Sequence, residues 1–232
     1  MKRIGYVFLA LGCVCGVFTL GVFLWQVYGT DIASRAQHDH TIEALRKQWQ
    51  SGVDRPIDTQ PPAVNKPAGK DDSTVVSQPN STSTPSPDKA QYGKAFGIIQ
   101  VPRFGSDYEV PIIYGTDASV LSRGVGHYDG TAYPCQVGNV GLAGHRTTYG
   151  RPFHNVDQLQ RGDKIEITTA TTSCVYEYDS YEIVDPSAIR VIAPVPNHPG
   201  KAPHEAWLTL TSCHPKYSAA KRYVVHAKLI ED

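Results

Sequence analysis

The chain has 232 residues, with 22 basic and 22 acidic side chains and a formal net charge of zero. That balance provides no strong field to draw it to nucleic acid, so DNA or RNA binding is set aside. Apolar residues crowd into the first 30 positions and again after about residue 95, so one folded domain of roughly 140 residues is expected.

From Ile4 to Thr30 no side chain is charged, and IGYVFLALGCVCGVFTLGVFLWQVY is long enough to supply the ~20 apolar residues that a bilayer-spanning helix needs. Lys2 and Arg3 precede the run and Asp31 is the first charge after it. The positive-inside bias then predicts a cytoplasmic tip and transmembrane anchor over residues 1–30, with the rest exported. The expected location is the plasma membrane, single-pass, with the folded domain extracellular. A cleaved signal peptide is the competing reading, but the run exceeds a usual h-region and lacks a small-x-small cleavage site. Cys13 and Cys15 read as small lipid-compatible residues rather than acylation sites, and ALGC is a poor lipobox.

Residues 31–50 are charged and free of Gly and Pro, with Ile42, Leu45 and Trp49 spaced for one helix face. A juxtamembrane helix is expected there. His38 and His40 would point to different sides of it, so they are read as a solvated face and not as a metal pair. Residues 51–94 change character, with seven prolines between Pro56 and Pro87, many Ser, Thr, Asp and Lys, and few large apolar side chains. Such a stretch cannot bury enough surface to offset its ordering entropy and is expected to be a disordered tether, about 35 Å in typical span.

Residues 95–232 form short β-rich runs broken by Gly, Pro, Asn and Asp: FGIIQVP, EVPIIYG, NVGLAGH, DKIEITT, CVYEYDSYEIV, AWLTLTSC and YVVHAKLI. With a single short helix candidate at PFHNVDQL, the pattern predicts an all-β, closed or nearly closed barrel. No G-x-x-x-x-G-K occurs, nor a G-x-G-x-x-G after a strand, so nucleotide chemistry is not expected.

Three cysteines fall in the exported part: Cys135, Cys174 and Cys213. An odd count leaves at least one thiol unpaired where disulfides persist, and an exposed free thiol there needs a task. Cys135 and Cys174 could pair, although the reading leans against a bridge. In AWLTLTSC, strand alternation puts Trp207, Thr209, Thr211 and Cys213 on one face and Ala206, Leu208, Leu210 and Ser212 on the other. If that strand pairs with RYVVHAKLI as a hairpin across HPKYSAAK, Cys213 meets Arg222 at the barrel rim.

A thiolate needs a cationic neighbour, and acyl transfer needs donors where a carbonyl oxygen gains charge. Arg222, permanently charged and fork-shaped, suits the donor role. Among nine histidines, His145 is the best proton carrier, because it ends the small-residue strand NVGLAGH and opens the polar loop RTTYG. His214 points away from Cys213 by strand alternation, and His226, mid-strand, reads as a packed histidine. His198 and His204 lie in a loop with no third ligand nearby and do not read as a zinc site.

These residues resemble those of the sortase family. TLTSC (Thr209 to Cys213) is similar to its cysteine motif, with Ser212 where Thr is usual; LAGHRTTYGRPF resembles its histidine segment and SAAKRYVVHAKL its arginine strand. GVGHYDGTAYP, GNVGLAGHRTTYG and TLTSCHPKYSAAKRYVVHA are most like class E sortases of high-GC Gram-positive bacteria. The resemblance covers Phe96 to Ile230 and implies an eight-stranded β-barrel with one or two short helices. It implies Cys213 as nucleophile, His145 as general acid and base, and Arg222 as oxyanion or substrate stabiliser. It also implies cleavage of a Leu-Ala-any-Thr-Gly type sorting signal between Thr and Gly.

Tyr128 matches a tyrosine linked to that preference, and Thr211 and Ser212 are read with it as substrate contacts. The partners implied are surface proteins bearing sorting signals and a peptidoglycan precursor as amine acceptor. No cofactor is expected, and the scattered acidic residues predict independence from calcium. The alternatives are a secreted cysteine hydrolase with the same site, a non-catalytic wall-binding domain, and a pilus-polymerising sortase. The last is disfavoured because no Asp-Pro-aromatic lid motif precedes the barrel.

Overall fold

The computed structural model describes residues 14–19, 21–22, 30–52, 57–58 and 91–231. Most of the expected anchor and most of the expected tether lie outside the described residues. Among the described residues, no helix is long and apolar enough to cross a membrane.

Eight strands close a barrel: β2 (Lys94–Gln100), β3 (Glu109–Tyr114), β4 (Val125–His127), β5 (Gly138–Ala143), β6 (Lys164–Thr169), β7 (Ser173–Val184), β8 (Ala206–His214) and β9 (Lys221–Glu231). Their order is β2-β3-β4-β5-β8-β9-β7-β6, and β6 pairs back onto β2. A two-residue strand, β1 (Ile57–Asp58), pairs with Ala95 and Lys94, so the stretch read as pure tether contributes one short ladder. All seven β-rich runs became strands. The eighth barrel strand, β4, was missed because it is three residues long and holds a glycine, Gly126, where any Cβ would meet Gly115 O at 2.4 Å. The helix expected at PFHNVDQL is only a 3-10 turn, Val156–Gln158.

Alternation builds the interior. Ile99, Ile112, Val140, Leu142, Ile165, Ile167, Leu208, Leu210, Val225 and Ala227 are all fully buried in one core. Burying each large aliphatic side chain stabilises the fold by about 1.5–3 kcal/mol. β2 and β3 are also apolar on their outer face, where Ile98 and Ile113 pack under helix α1 (Thr30–Ser51).

The face of α1 that docks is longer than Ile42, Leu45 and Trp49. Asp31, Ser34, His38 and Thr41 continue the same three- and four-residue spacing and are buried too. His38 therefore sits inside a contact and not on a solvated face, while His40 is exposed. The reason is composition: a docking stripe half made of polar residues has little hydrophobic signal to read. Burial, with the Arg35 charge, pulls the pKa of His38 down to about 4, so it is neutral in the folded protein.

Cys135 and Cys174 are joined in a disulfide, against the sequence reading. Cys174 is a core residue of β7, and Cys135, in the loop before β5, donates its N–H to the Tyr176 hydroxyl at 2.9 Å. Residues 39 apart in sequence are thus brought together by the closed barrel, a contact that spacing alone does not show.

Candidate active site

The antiparallel β8–β9 ladder sets the first part of the site. Cys213 lies directly opposite Arg222, with His214 opposite Lys221 one step nearer the turn. Residues facing one another in such a pair share a sheet face. Cys213 is half-buried and carries a free thiol, and Arg222 is half-buried as well. The guanidinium of Arg222 donates from Nη1 to the carbonyls of Ala219 and Lys221, both at 3.1 Å, which fixes how the fork leaves the strand.

The parallel β5–β8 ladder sets the second part. Its register ends at Ala143 opposite Thr211. Beyond it the Gly144 N–H donates to Thr211 O at 3.1 Å, and the Ser212 hydroxyl donates to Gly144 O at 2.8 Å. The two chains therefore stay paired past the ladder, and two further residues bring His145 level with Cys213. Because the sheet order is β5-β8-β9, Cys213 and Arg222 face one another on neighbouring strands, and His145, in the loop that leaves β5, comes level with Cys213 on its other side. Burial lowers the pKa of His145 below the ordinary imidazole value, which keeps the resting ring neutral. Its ring lies 5.0 Å from that of Tyr149.

A groove runs from Arg222 along the outer face of the barrel, lined by Tyr128, Thr211, Val224, Ala188, Ile189 and Ile192. The Tyr128 hydroxyl is 2.9 Å from Thr211 Oγ1, so two of the residues assigned to substrate meet there. Ser212 does not join them. It is buried on the opposite face and holds Gly144 to β8, as its hydroxyl bond shows, because one step along a strand reverses the side chain. Gly141 and Gly144 make room for the protein's own side chains: a Cβ on Gly144 would meet the Phe153 ring at 2.6 Å, and one on Gly141 would meet Tyr128 at 3.0 Å.

Behind the groove a polar network pins its wall. Asn139 donates to the carbonyls of Val191 and Ala193, and Thr209 donates to Asn139 and lies 3.0 Å from His226 Nδ1. His226 reaches Glu182 at 3.1 Å, so it is the packed histidine that mid-strand placement suggested. Burial works to raise the pKa of Glu182, yet hydrogen bonds from Arg190, Asn197 and His226 outweigh it and hold the carboxyl at about 2.

Sequence reasoning missed Arg146. It is buried, donates from Nη1 to the Cys213 carbonyl at 3.3 Å, pairs with Asp157 at 2.7 Å and lies over the Tyr223 ring at 5.1 Å. A charged residue directly after His145 looked like part of a polar loop, and its partners lie on three separate segments. The chemistry available is thus a thiol between an imidazole and a guanidinium, beside a half-apolar groove.

Residues 99–230 match the sortase domain family over more than half of the chain. The chain belongs to the sortase family of cysteine transpeptidases. Sortase SrtE1 of Streptomyces coelicolor is 30% identical across all of this chain, which spans 57% of that relative's length. Two solved structures are similar in fold and sequence. The SrtA sortase from Actinomyces oris has a TM-score of 0.59 at 38% identity over 62% of this chain and 84% of its own. Sortase E from Streptomyces avermitilis has a TM-score of 0.55 at 39% identity over 60% of this chain and 90% of its own. This sortase is class E-like.

Proposed function

We propose that this sortase cleaves a C-terminal sorting signal of the Leu-Ala-any-Thr-Gly type between Thr and Gly and transfers the acyl part to an amine of a cell-wall peptide. The observation that supports the reading is Cys213 opposite Arg222 on paired strands, with His145 in the loop that leaves the neighbouring strand β5, beside the Tyr128–Thr211 groove. Apolar threonine-side residues of the signal lie along Val224, Ala188, Ile189 and Ile192.

The steps follow from covalent catalysis. Neutral His145 takes the proton of the Cys213 thiol as the sulfur attacks the threonine carbonyl, leaving imidazolium and a tetrahedral oxyanion that Arg222 stabilises. The imidazolium returns its proton to the departing glycine nitrogen, and a thioacyl enzyme remains. An incoming amine attacks that thioester, His145 accepts its excess proton and delivers it to the leaving Cys213 sulfur, and the new amide is released. The half-buried, neutral imidazole suits both directions of transfer, because it can accept first and donate second.

We also propose that residues 1–30 anchor the enzyme in the plasma membrane with the barrel outside. The uncharged run Ile4–Thr30 supports this, as do Val14, Val17 and Phe18, which are exposed on its described helical part. The test is a Leu-Ala-any-Thr-Gly peptide incubated with the full chain, with and without triglycine. Amine-dependent ligation product is the expected result. Release of the peptide acid at the same rate with and without amine identifies a hydrolase instead, and no cleavage at all rejects the reading.

A further inference from the structure

The polar end of α1 lies on the loop that follows His145. The Gly150 N–H donates to Asp31 Oδ1 at 3.1 Å, across 119 residues of sequence. Arg151 Nε lies 2.6 Å from Asp31 Oδ2 in an ion pair, the carboxylate being buried. His38 and Ser34 cover the same turn: a Cβ on Gly150 would meet His38 Cε1 at 2.9 Å and Ser34 Cβ at 3.5 Å. Three side chains of α1, those of Asp31, Ser34 and His38, thus converge on Gly150 and Arg151, in the turn formed by three residues, Tyr149, Gly150 and Arg151.

Those three residues share an unusual conformation. Tyr149, Gly150 and Arg151 have φ of 52°, 76° and 53°, all in the left-handed region. For non-glycine residues that region is unfavourable, because Cβ crowds the following carbonyl oxygen, and it persists only where neighbouring structure imposes it. The loop itself supplies backbone bonds, among them Arg151 N–H to Thr148 O and Phe153 N–H to His145 O, both at 3.0 Å. His154 N–H also donates to Arg151 O, the Tyr108 hydroxyl donates to Pro152 O just beyond, and α1 adds the bonds to Gly150 and Arg151 themselves. The result of the twist is that Tyr149, 39% exposed, lays its ring 5.0 Å from the His145 ring.

We propose that α1 is a brace for the catalytic histidine: Asp31, with His38 and Arg151, holds the left-handed turn that sets Tyr149 against His145. Asp31, His38 and Arg151 are positioning residues, since they act on the imidazole only through the turn. The proposal rests on His145 serving as the proton carrier in the reading above. The brace begins directly after the apolar run that ends at Thr30, so the element nearest the proposed anchor also orders the site. A barrel cut free of α1 keeps its nucleophile and its guanidinium in register, because the β8–β9 ladder itself pairs Cys213 with Arg222, and loses the fixed histidine.

The experiment uses the full chain and four variants: Asp31→Ala, Asp31→Asn, Arg151→Ala and, as a charge-matched control on an exposed position of the same helix, Asp39→Ala. Each is assayed for kcat and KM with the Leu-Ala-any-Thr-Gly peptide and triglycine, and its His145 ring is followed by NMR of labelled histidine. Asp31→Ala and Arg151→Ala are expected to lower kcat roughly ten-fold or more with KM within about two-fold, the signature of a misplaced catalytic group. Asp31→Asn, which keeps an acceptor for the Gly150 N–H, falls between them and wild type. The double variant Asp31→Ala/Arg151→Ala is no worse than either single one, and His145 shows exchange-broadened or shifted ring signals in all of them but not in Asp39→Ala. Wild-type kcat together with unchanged His145 signals in Asp31→Ala and Arg151→Ala would overturn the proposal. If the peptide is not turned over even by the wild-type enzyme, the functional reading fails, while the NMR arm still decides whether α1 orders the ring.

Discussion

Two edges of strand β8 meet the same cysteine in different ways. On one side, β9 delivers Arg222 through an unbroken antiparallel ladder that runs from Trp207 opposite Lys228 to His214 opposite Lys221. On the other side, the β5 ladder stops at Ala143, and His145 is carried by a loop whose supports come from Arg146, Phe153 and the distant Asp31. The hairpin side is set by local register, and the histidine side by tertiary contacts. A rigid nucleophile and donor combined with a separately held proton carrier suits a reaction in which the histidine must serve two successive amines.

The largest break comes from the reacting atoms. Cys213→Ala and His145→Ala are each expected to lower kcat/KM by about 10⁴-fold or more, and the double variant by little beyond that, since members of one catalytic unit are not additive. Steady-state peptide cleavage measures both. Arg222→Ala removes the oxyanion donor and is expected to cost about 10²–10³-fold, mostly in kcat. Arg222→Lys recovers only part of it, because a point charge does not replace the fork.

Arg146 separates the two sides further. Arg146→Met deletes its bond to the Cys213 carbonyl and its pair with Asp157, and is expected to lower stability by about 2 kcal/mol and kcat about ten-fold. Denaturant melts together with kinetics check this; a loss of stability with unchanged kcat would place Arg146 in the fold alone. The pH profile probes the histidine side by itself. Since burial holds the His145 pKa below its usual value, the neutral form persists as pH falls until that lowered value is reached. The acid limb of kcat/KM is therefore expected below about pH 6.5, and in Tyr149→Ala, where the ring is less enclosed, it shifts upward.

The smallest effect on rate belongs to the bridge. Cys135→Ser/Cys174→Ser opens a loop closed across 39 residues and is expected to cost about 4 kcal/mol of stability while leaving kcat/KM within about two-fold. Melting and kinetics on the same preparation test it, and a large fall in kcat/KM would tie the bridge to the site. The contrast between Cys174, locked in the core, and Cys213, free at the rim, then stands as two fates of one residue type in neighbouring regions of the sheet.

What the sequence made legible follows the same division. Period-two alternation showed seven of the barrel's strands and put Cys213 and Arg222 face to face, because hairpin register is a short-range property. Ser212 was assigned to substrate although the same alternation turns it inward to Gly144. Arg146, the Asp31 clamp and the Cys135–Cys174 bridge were not legible: each is a contact between segments far apart in the chain, made by side chains whose local setting is polar and unremarked. The buried His38 belongs with them, since the stripe that docks α1 begins in Asp31 and Ser34 and becomes apolar only at Ile42.

The most direct measurement of the central claim is intact and peptide-mapped mass spectrometry of the full-length enzyme mixed with a Leu-Ala-any-Thr-Gly peptide and quenched in acid. The expected species is an adduct equal to the peptide acylated through its threonine, carried on Cys213, absent from Cys213→Ala and discharged by triglycine. Peptide cleavage proceeding without that adduct, or with the acyl group on any other residue, would contradict the claim.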